Sequence, residues 1–250
     1  MKKIAAIITA TILTAACTGA PPPPGNPGAT LPSQILDLHG WTLTTPIPNP
    51  TTGALEIYPT QLQDYTTDTF YVNEAKNGVV FKTPADGAVQ KGAECPRNEL
   101  RQVKPGGAAN FWSTTEGTHT FEVTISADRH ANSKMLVIGQ VHDIGPYILL
   151  LQLNGEKLYV KADIPDGDDN IATLDDHYQL GTIISYKIEA SNGEIRVYYN
   201  PGTEPATNLA ATYKTNCAKC FFKAGSYLQV PTVPGDTSYG QTTIYNMKVS

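Results

Sequence analysis

The sequence predicts an all-β protein: a β-sandwich jelly roll of two antiparallel sheets with a concave groove. Three observations predict it. Short runs rich in Val, Ile, Thr, Tyr and Phe recur along the chain, broken roughly every 8 to 12 residues by Gly, Pro, Asn or Asp. Helical periodicity is nearly absent. Asn154-Gly155 and Asn192-Gly193 each lie between runs of strand type, and Asn-Gly tolerates the positive φ angles of tight hairpin turns.

The 250 residues divide into three stretches. Residues 1–17 read as an export signal: basic Met1-Lys2-Lys3, an apolar run from Ile4 to Leu13, then the small residues Thr14-Ala15-Ala16. Cys17 follows directly, where a bacterial lipoprotein carries its lipidated cysteine, although Leu13 stands one position earlier than the usual leucine. An outer-membrane or cell-surface lipoprotein is expected, with cleavage near Ala16 and a secreted or periplasmic product as the alternative. Residues 18–33, with Pro21-Pro22-Pro23-Pro24-Gly25, read as an extended, solvated spacer. Residues 34–250 are long enough for one β-rich domain with a substantial core. No second apolar run of spanning length follows the leader, so membrane contact is expected only through the N-terminal anchor.

Charge narrows the partners. Removing Lys2 and Lys3 with the leader lowers Lys plus Arg from 18 to 16 against 23 Asp plus Glu, moving the net charge from −5 to −7. Nucleic acid is therefore not an expected partner, and an anionic ligand needs a local basic groove rather than the field of the whole protein. A monomer is expected. With Cys17 at the leader junction, Cys95, Cys217 and Cys220 remain in an oxidising compartment. A local Cys217–Cys220 disulfide would leave Cys95 free; pairing of Cys95 with either of the others stays open.

Within the domain, strands are expected at 70–72, 79–83, 98–103, 118–125, 135–142, 147–153, 157–162, 183–190, 194–199, 220–229 and 243–249, with one helical turn at 59–65. Three of these carry polar rows, because side chains on a strand alternate between faces. Arg97, Glu99 and Arg101 share one side while Leu100 points to the core. Gln140 and His142 share a side, with Val141 inward. Lys223, Gly225, Tyr227 and Gln229 share a side opposite Phe222, Ala224 and Leu228, and Gly225 is expected to clear space above the strand for a ligand. Taken alone, each row has a duller explanation as a wet face. Together they supply cations, amides, an imidazole and a phenol, a set suited to gripping a carboxylate and moving protons.

These segments resemble the signature strands of polysaccharide lyase family 7, the alginate lyases. That family's R-x-E-L-R, Q-[IV]-H and Y-F-K-A-G-x-Y-x-Q patterns read here Arg97-Asn98-Glu99-Leu100-Arg101, Gln140-Val141-His142 and Phe221-Phe222-Lys223-Ala224-Gly225-Ser226-Tyr227-Leu228-Gln229. Residues 36–43 and 244–249 resemble its first and last strands. Phe221 stands where the family often has Tyr, and Leu228 where Asn is common.

The resemblance implies depolymerisation of alginate, a 4-linked mannuronate and guluronate polymer, by β-elimination without a cofactor. It assigns Arg97, Gln140, His142 and Tyr227 to catalysis and Glu99, Arg101, Lys223 and Gln229 to substrate binding, with Glu99 an orienting group. The first three catalytic groups neutralise the uronate carboxylate so that the C5 proton becomes acidic, and Tyr227 protonates the leaving O4, its pKa lowered by a nearby cation. In mannuronate the proton and leaving oxygen lie on the same side, so Tyr227 serves both steps; in guluronate they lie on opposite sides and His142 takes the proton. A lyase for another polyuronate such as glucuronan and a non-catalytic carbohydrate-binding module are the rival readings. No Asp or Glu pair recommends a glycoside hydrolase. His39, His119, His130 and His177 lack metal-ligand spacing, and Asp166-Gly167-Asp168-Asp169 reads as a solvated loop rather than a calcium site.

Overall fold

The computed structural model describes residues 21–163 and 170–250. The leader with Cys17 and the Asp166-Gly167-Asp168-Asp169 stretch lie outside the described residues. The strands are β1 Trp41–Asn49, β2 Gly53–Ile57, β3 Phe70–Val72, β4 Val79–Pro84, β5 Arg97–Gln102, β6 Thr118–Arg129, β7 Met135–His142, β8 Tyr147–Asn154, β9 Lys157–Ala162, β10 Asn170–Asp175, β11 Ile183–Ser191, β12 Glu194–Pro201, β13 Asn208–Lys214, β14 Phe221–Leu228 and β15 Tyr239–Val249. A short helix, α1 Pro59–Leu62, and a 3-10 turn at Pro32–Gln34 complete the regular structure.

Two antiparallel sheets result. One runs β10-β9-β8-β7-β14-β5-β1-β2, the other β13-β12-β11-β6-β15-β4-β3. The two Asn-Gly pairs close the β8–β9 and β11–β12 hairpins, and Asn192 and Gly193 both take positive φ, 53° and 74°. The alternating pattern locates most strands but misses four, of which β1, expected from the family resemblance at 36–43, runs instead from Trp41 to Asn49. β2 follows β1 through a tight turn, β10 borders residues outside the description, and β13 is an edge strand exposed at most positions, so no buried row marks it.

The inward rows of both sheets fuse into one core. Phe222 of β14 stacks on Phe121 of β6 at 5.1 Å between ring centroids, with Trp112 against Phe222 at 4.6 Å and Trp41 against Phe121 at 5.4 Å. Leu100, Phe222 and Ala224 are fully buried. Leu100 and Phe222 each contribute about 1.5–3 kcal/mol by leaving water, which fixes the register of β5 and β14 and with it the direction of their opposite, polar rows.

Among the register shifts, two place their extra residue within strands that carry the polar rows and interrupt strict alternation there. Between Val137 and Gly139, β7 advances two residues while β8 advances one, so Leu136 and Ile138 enter the core although they share parity with Gln140 and His142. Between Ala224 and Tyr227, β14 gains a residue over β7, at Gly225-Ser226. Gly225 has φ 146°, and a Cβ there would lie 2.4 Å from the Asn98 carbonyl oxygen and 2.9 Å from Glu99 Cα. Its missing side chain thus permits close approach of β5, which corrects the expectation of cleared space for a ligand.

The stretch expected to be a free spacer is docked from Pro23 onward. The Asn77 amide donates to the Pro23 carbonyl at 2.9 Å, the Asn26 amide donates to the Lys76 carbonyl at 2.8 Å, and Ala29 is fully buried.

Candidate active site

The three polar strands are adjacent, in the order β7-β14-β5. Register places Gln140, Lys223 and Arg101 in one row, Gly225 beside Glu99 in the next, and Tyr227 beside Arg97 in a third; His142 lies opposite Phe221. A cleft of about 400 Å³ opens over them, lined by Arg97, Arg101, His142 and Lys223 together with Thr44, Glu56, Gln90, Asp143, Ile144 and Phe221.

Glu99 is the electrostatic centre of this face. Its side chain is 1% exposed, and it pairs with Lys223 and with Arg97, the latter at 3.3 Å, while Gln140 Nε2 reaches across β14 to donate to its other oxygen. Burial alone would raise the Glu99 carboxyl, but Lys223, Arg97 and the donated hydrogen bonds together hold it below the usual carboxylate range. Burial pushes the Lys223 ammonium down to about 8, against the pull of Glu99. Glu99 and Gln140, each 1% exposed, therefore lie beneath the residues that line the cleft. Buried there, Glu99 is held in an internal ion pair that orients its neighbours, in keeping with the orienting part of its expected role. Lys223, mostly buried, belongs to the same pair and shows only its edge to the cleft.

His142 and Tyr227 carry the proton chemistry available here. His142 Nδ1 faces the Asp143 carbonyl, which can only accept, so Nδ1 holds the proton and Nε2 keeps its lone pair. Burial lowers the His142 pKa, which keeps the ring neutral. The imidazole stacks on Phe221 at 5.4 Å, and the Arg101 guanidinium lies 4.2 Å over the same ring, so Phe221 spaces the two groups. The Arg97 guanidinium sits 3.9 Å over the Tyr227 ring. Burial raises the Tyr227 pKa and outweighs Arg97, which acts in the opposite direction; the expectation of a lowered phenol pKa is thereby corrected, and Tyr227 keeps its proton. Gln229 lies just past the end of β14, beside that phenol.

The sequence reading missed Glu56, Gln90 and Thr44. The alternation Leu55-Glu56-Ile57 was a signal for β2, but that Glu56 faces the cleft depends on pairing between strands distant in sequence. Cys217 and Cys220 form a disulfide at the start of β14, and Cys95 is a free thiol. Among the described residues no group of three or more His, Cys, Asp or Glu is placed to hold a metal ion. A larger cleft of about 850 Å³ shares Asp143 with the first, but its described lining of Asp143, Asp163, Glu194 and Lys214 is more acidic than basic and lacks an imidazole or phenol.

A jelly-roll sheet that combines a neutral imidazole, a protonated phenol and a cluster of cations, and whose buried glutamate is locked in ion pairs, defines the class of polysaccharide lyases. The alginate lyase family model matches residues 36–250. Similar solved structures include the alginate lyase AlgAT5 from polysaccharide lyase family 7, 38% identical over 89% of this chain and 99% of that one with a TM-score of 0.79. An alginate lyase from Corynebacterium sp. is 31% identical over 88% and 98% of the two chains with a TM-score of 0.78. One from Pseudomonas aeruginosa is 27% identical over 86% and 99% with a TM-score of 0.72. A search of curated protein sequences returns no match. The chain belongs to the alginate lyase family.

Proposed function

We propose that this protein cleaves alginate by β-elimination, leaving an unsaturated uronate at the new non-reducing end. The observation that carries the reading is a cationic cleft lined by His142, with its Nε2 lone pair free, and by Arg97, whose guanidinium lies over the ring of protonated Tyr227. Arg97 and Arg101 hold and neutralise the uronate carboxylate, with Gln140 below them, and the C5 proton is acidified in consequence. The C5–H electron pair forms the C4=C5 double bond as the C4–O4 bond breaks, and Tyr227 Oη delivers its proton to O4. His142 Nε2 accepts the C5 proton from guluronate; with mannuronate Tyr227 serves both steps only from its phenolate, which takes the C5 proton and passes it to O4. Lys223 supports the cationic field from its pair with Glu99.

The similarity to alginate lyases over most of the chain supports alginate over another polyuronate. Export as a lipoprotein through Cys17, and action as a monomer, complete the proposal. Incubation of the purified protein with alginate tests it. A rise in ultraviolet absorbance from the conjugated double bond is the expected result, and a protein that binds alginate without that rise is a carbohydrate-binding module instead.

A further inference from the structure

Besides Asp143, beside the imidazole, the cleft wall carries a second acid outside the Glu99 ion pairs, Glu56. Thr44 of β1 stands opposite both Glu99 and Glu56, so Glu99, Thr44 and Glu56 form one row across β5, β1 and β2. Two strand spacings, about 10 Å, separate the first from the last. Glu56 lines the same cleft as Arg97, Arg101 and His142, with Gln90 beside it.

The Glu56 carboxylate is held in place. Gln90 Nε2 donates to its Oε1 at 2.7 Å. The segment carrying Gln90 is clamped to the β1–β2 hairpin, since the Lys91 amide donates to the Thr52 carbonyl at 2.8 Å and the Ala88 amide to the Pro46 carbonyl at 2.9 Å. Gly53 lies so close to this segment that a Cβ would stand 2.3 Å from the Val89 carbonyl oxygen. The pair is thus a fixed part of the cleft wall.

We propose that Glu56, oriented by Gln90, determines which uronate epimer is accepted next to the cleaved unit; this rests on the lyase reading above. A fixed carboxylate accepts hydrogen bonds from ring hydroxyls and repels another carboxylate. Every ring of a polyuronate carries one carboxylate, so the ring over β1 and β2 must turn that group away and offer hydroxyls. Epimers at C5 direct the carboxylate to opposite faces of the ring, so along a given chain path one epimer meets this demand and the other places like charges together.

The test is Glu56→Gln, which keeps the acceptor for Gln90 and removes only the charge, alongside Gln90→Ala, which frees the carboxylate. Both are assayed on mannuronate-rich and guluronate-rich alginate blocks. Glu56→Gln is expected to lower KM for the disfavoured block at least about fivefold with little change in kcat, shrinking the kcat/KM ratio between the blocks. Its KM is also expected to depend less on salt, and Gln90→Ala is expected to shift the ratio the same way by less. An unchanged ratio and salt dependence in a Glu56→Gln protein that cleaves normally overturns the proposal and leaves the lyase reading intact. Absence of unsaturated product from the unaltered protein overturns both.

Discussion

The two sheets each turn an acidic side chain to their outer face, and the partners differ. Glu99, on the β5 face, is surrounded by Lys223, Arg97 and the Gln140 amide and is almost wholly buried. Asp128, on β6 of the other sheet, accepts hydrogen bonds from Ser126, Thr243 and Gln241, all neutral groups, and stays partly exposed. Both carboxylates are well satisfied. Only the first gathers cations that also line a cleft, so reactivity follows from what the surrounding charges can still reach rather than from polarity itself.

The sharpest way to break this comparison is at the proton donor. Tyr227→Phe keeps the ring beneath Arg97 and removes only the hydroxyl, and kcat is expected to fall about 10²- to 10⁴-fold with an unaltered melting temperature. Retention of kcat would show that the phenol is a rim aromatic. Next come the two acids. Glu99→Ala leaves Lys223 and Arg97 buried without their counter-charge and is expected to cost about 3–5 kcal/mol of stability. Asp128→Ala orphans hydroxyl and amide donors at a partly exposed site, with an expected loss of about 1–2 kcal/mol and unchanged activity. Urea unfolding of the two variants measures the difference, and equal losses would erase the distinction between the faces.

The smallest effect concerns pH. The His142 imidazole is harder to protonate in the folded protein than at its ordinary 6.5, because burial disfavours the charged ring. Between its lowered pKa and 6.5 the unfolded chain binds more protons, so this contribution to stability rises with pH across that window and is level above it. The same ionisation sets the acid limb of kcat/KM on guluronate blocks, which is expected below pH 6.5. A pH–rate profile whose acid limb lies above that value would remove His142 as the base.

Much of this site was legible because its information is local. In Gln140-Val141-His142 and Arg97-Asn98-Glu99-Leu100-Arg101, period-two alternation alone separates the outward groups from Val141 and Leu100, and the structure agrees. Where a bulge intervenes the rule fails: Ile138 shares parity with Gln140 and yet faces the core. Gly225 was readable as special, but its reason, the Asn98 carbonyl of a strand more than a hundred residues away, was not. The burial of Glu99 and Lys223 was hidden for a similar cause, since a charged pair on a strand reads as solvated until its neighbours are known. β13 escaped notice because an exposed edge needs no apolar row, and Glu56 because its place depends on the partner across β1.

The docking of Pro23 and Asn26 onto the β3–β4 turn sets where mechanical load enters the molecule. A pull on the preceding residues would be received at Asn77 and Lys76, on the margin of the sheet that does not carry the cleft. The catalytic strands would be spared that force. Under the proposed anchorage through Cys17, the groove would also keep a set bearing relative to the membrane, like a tool gripped by the back of its blade.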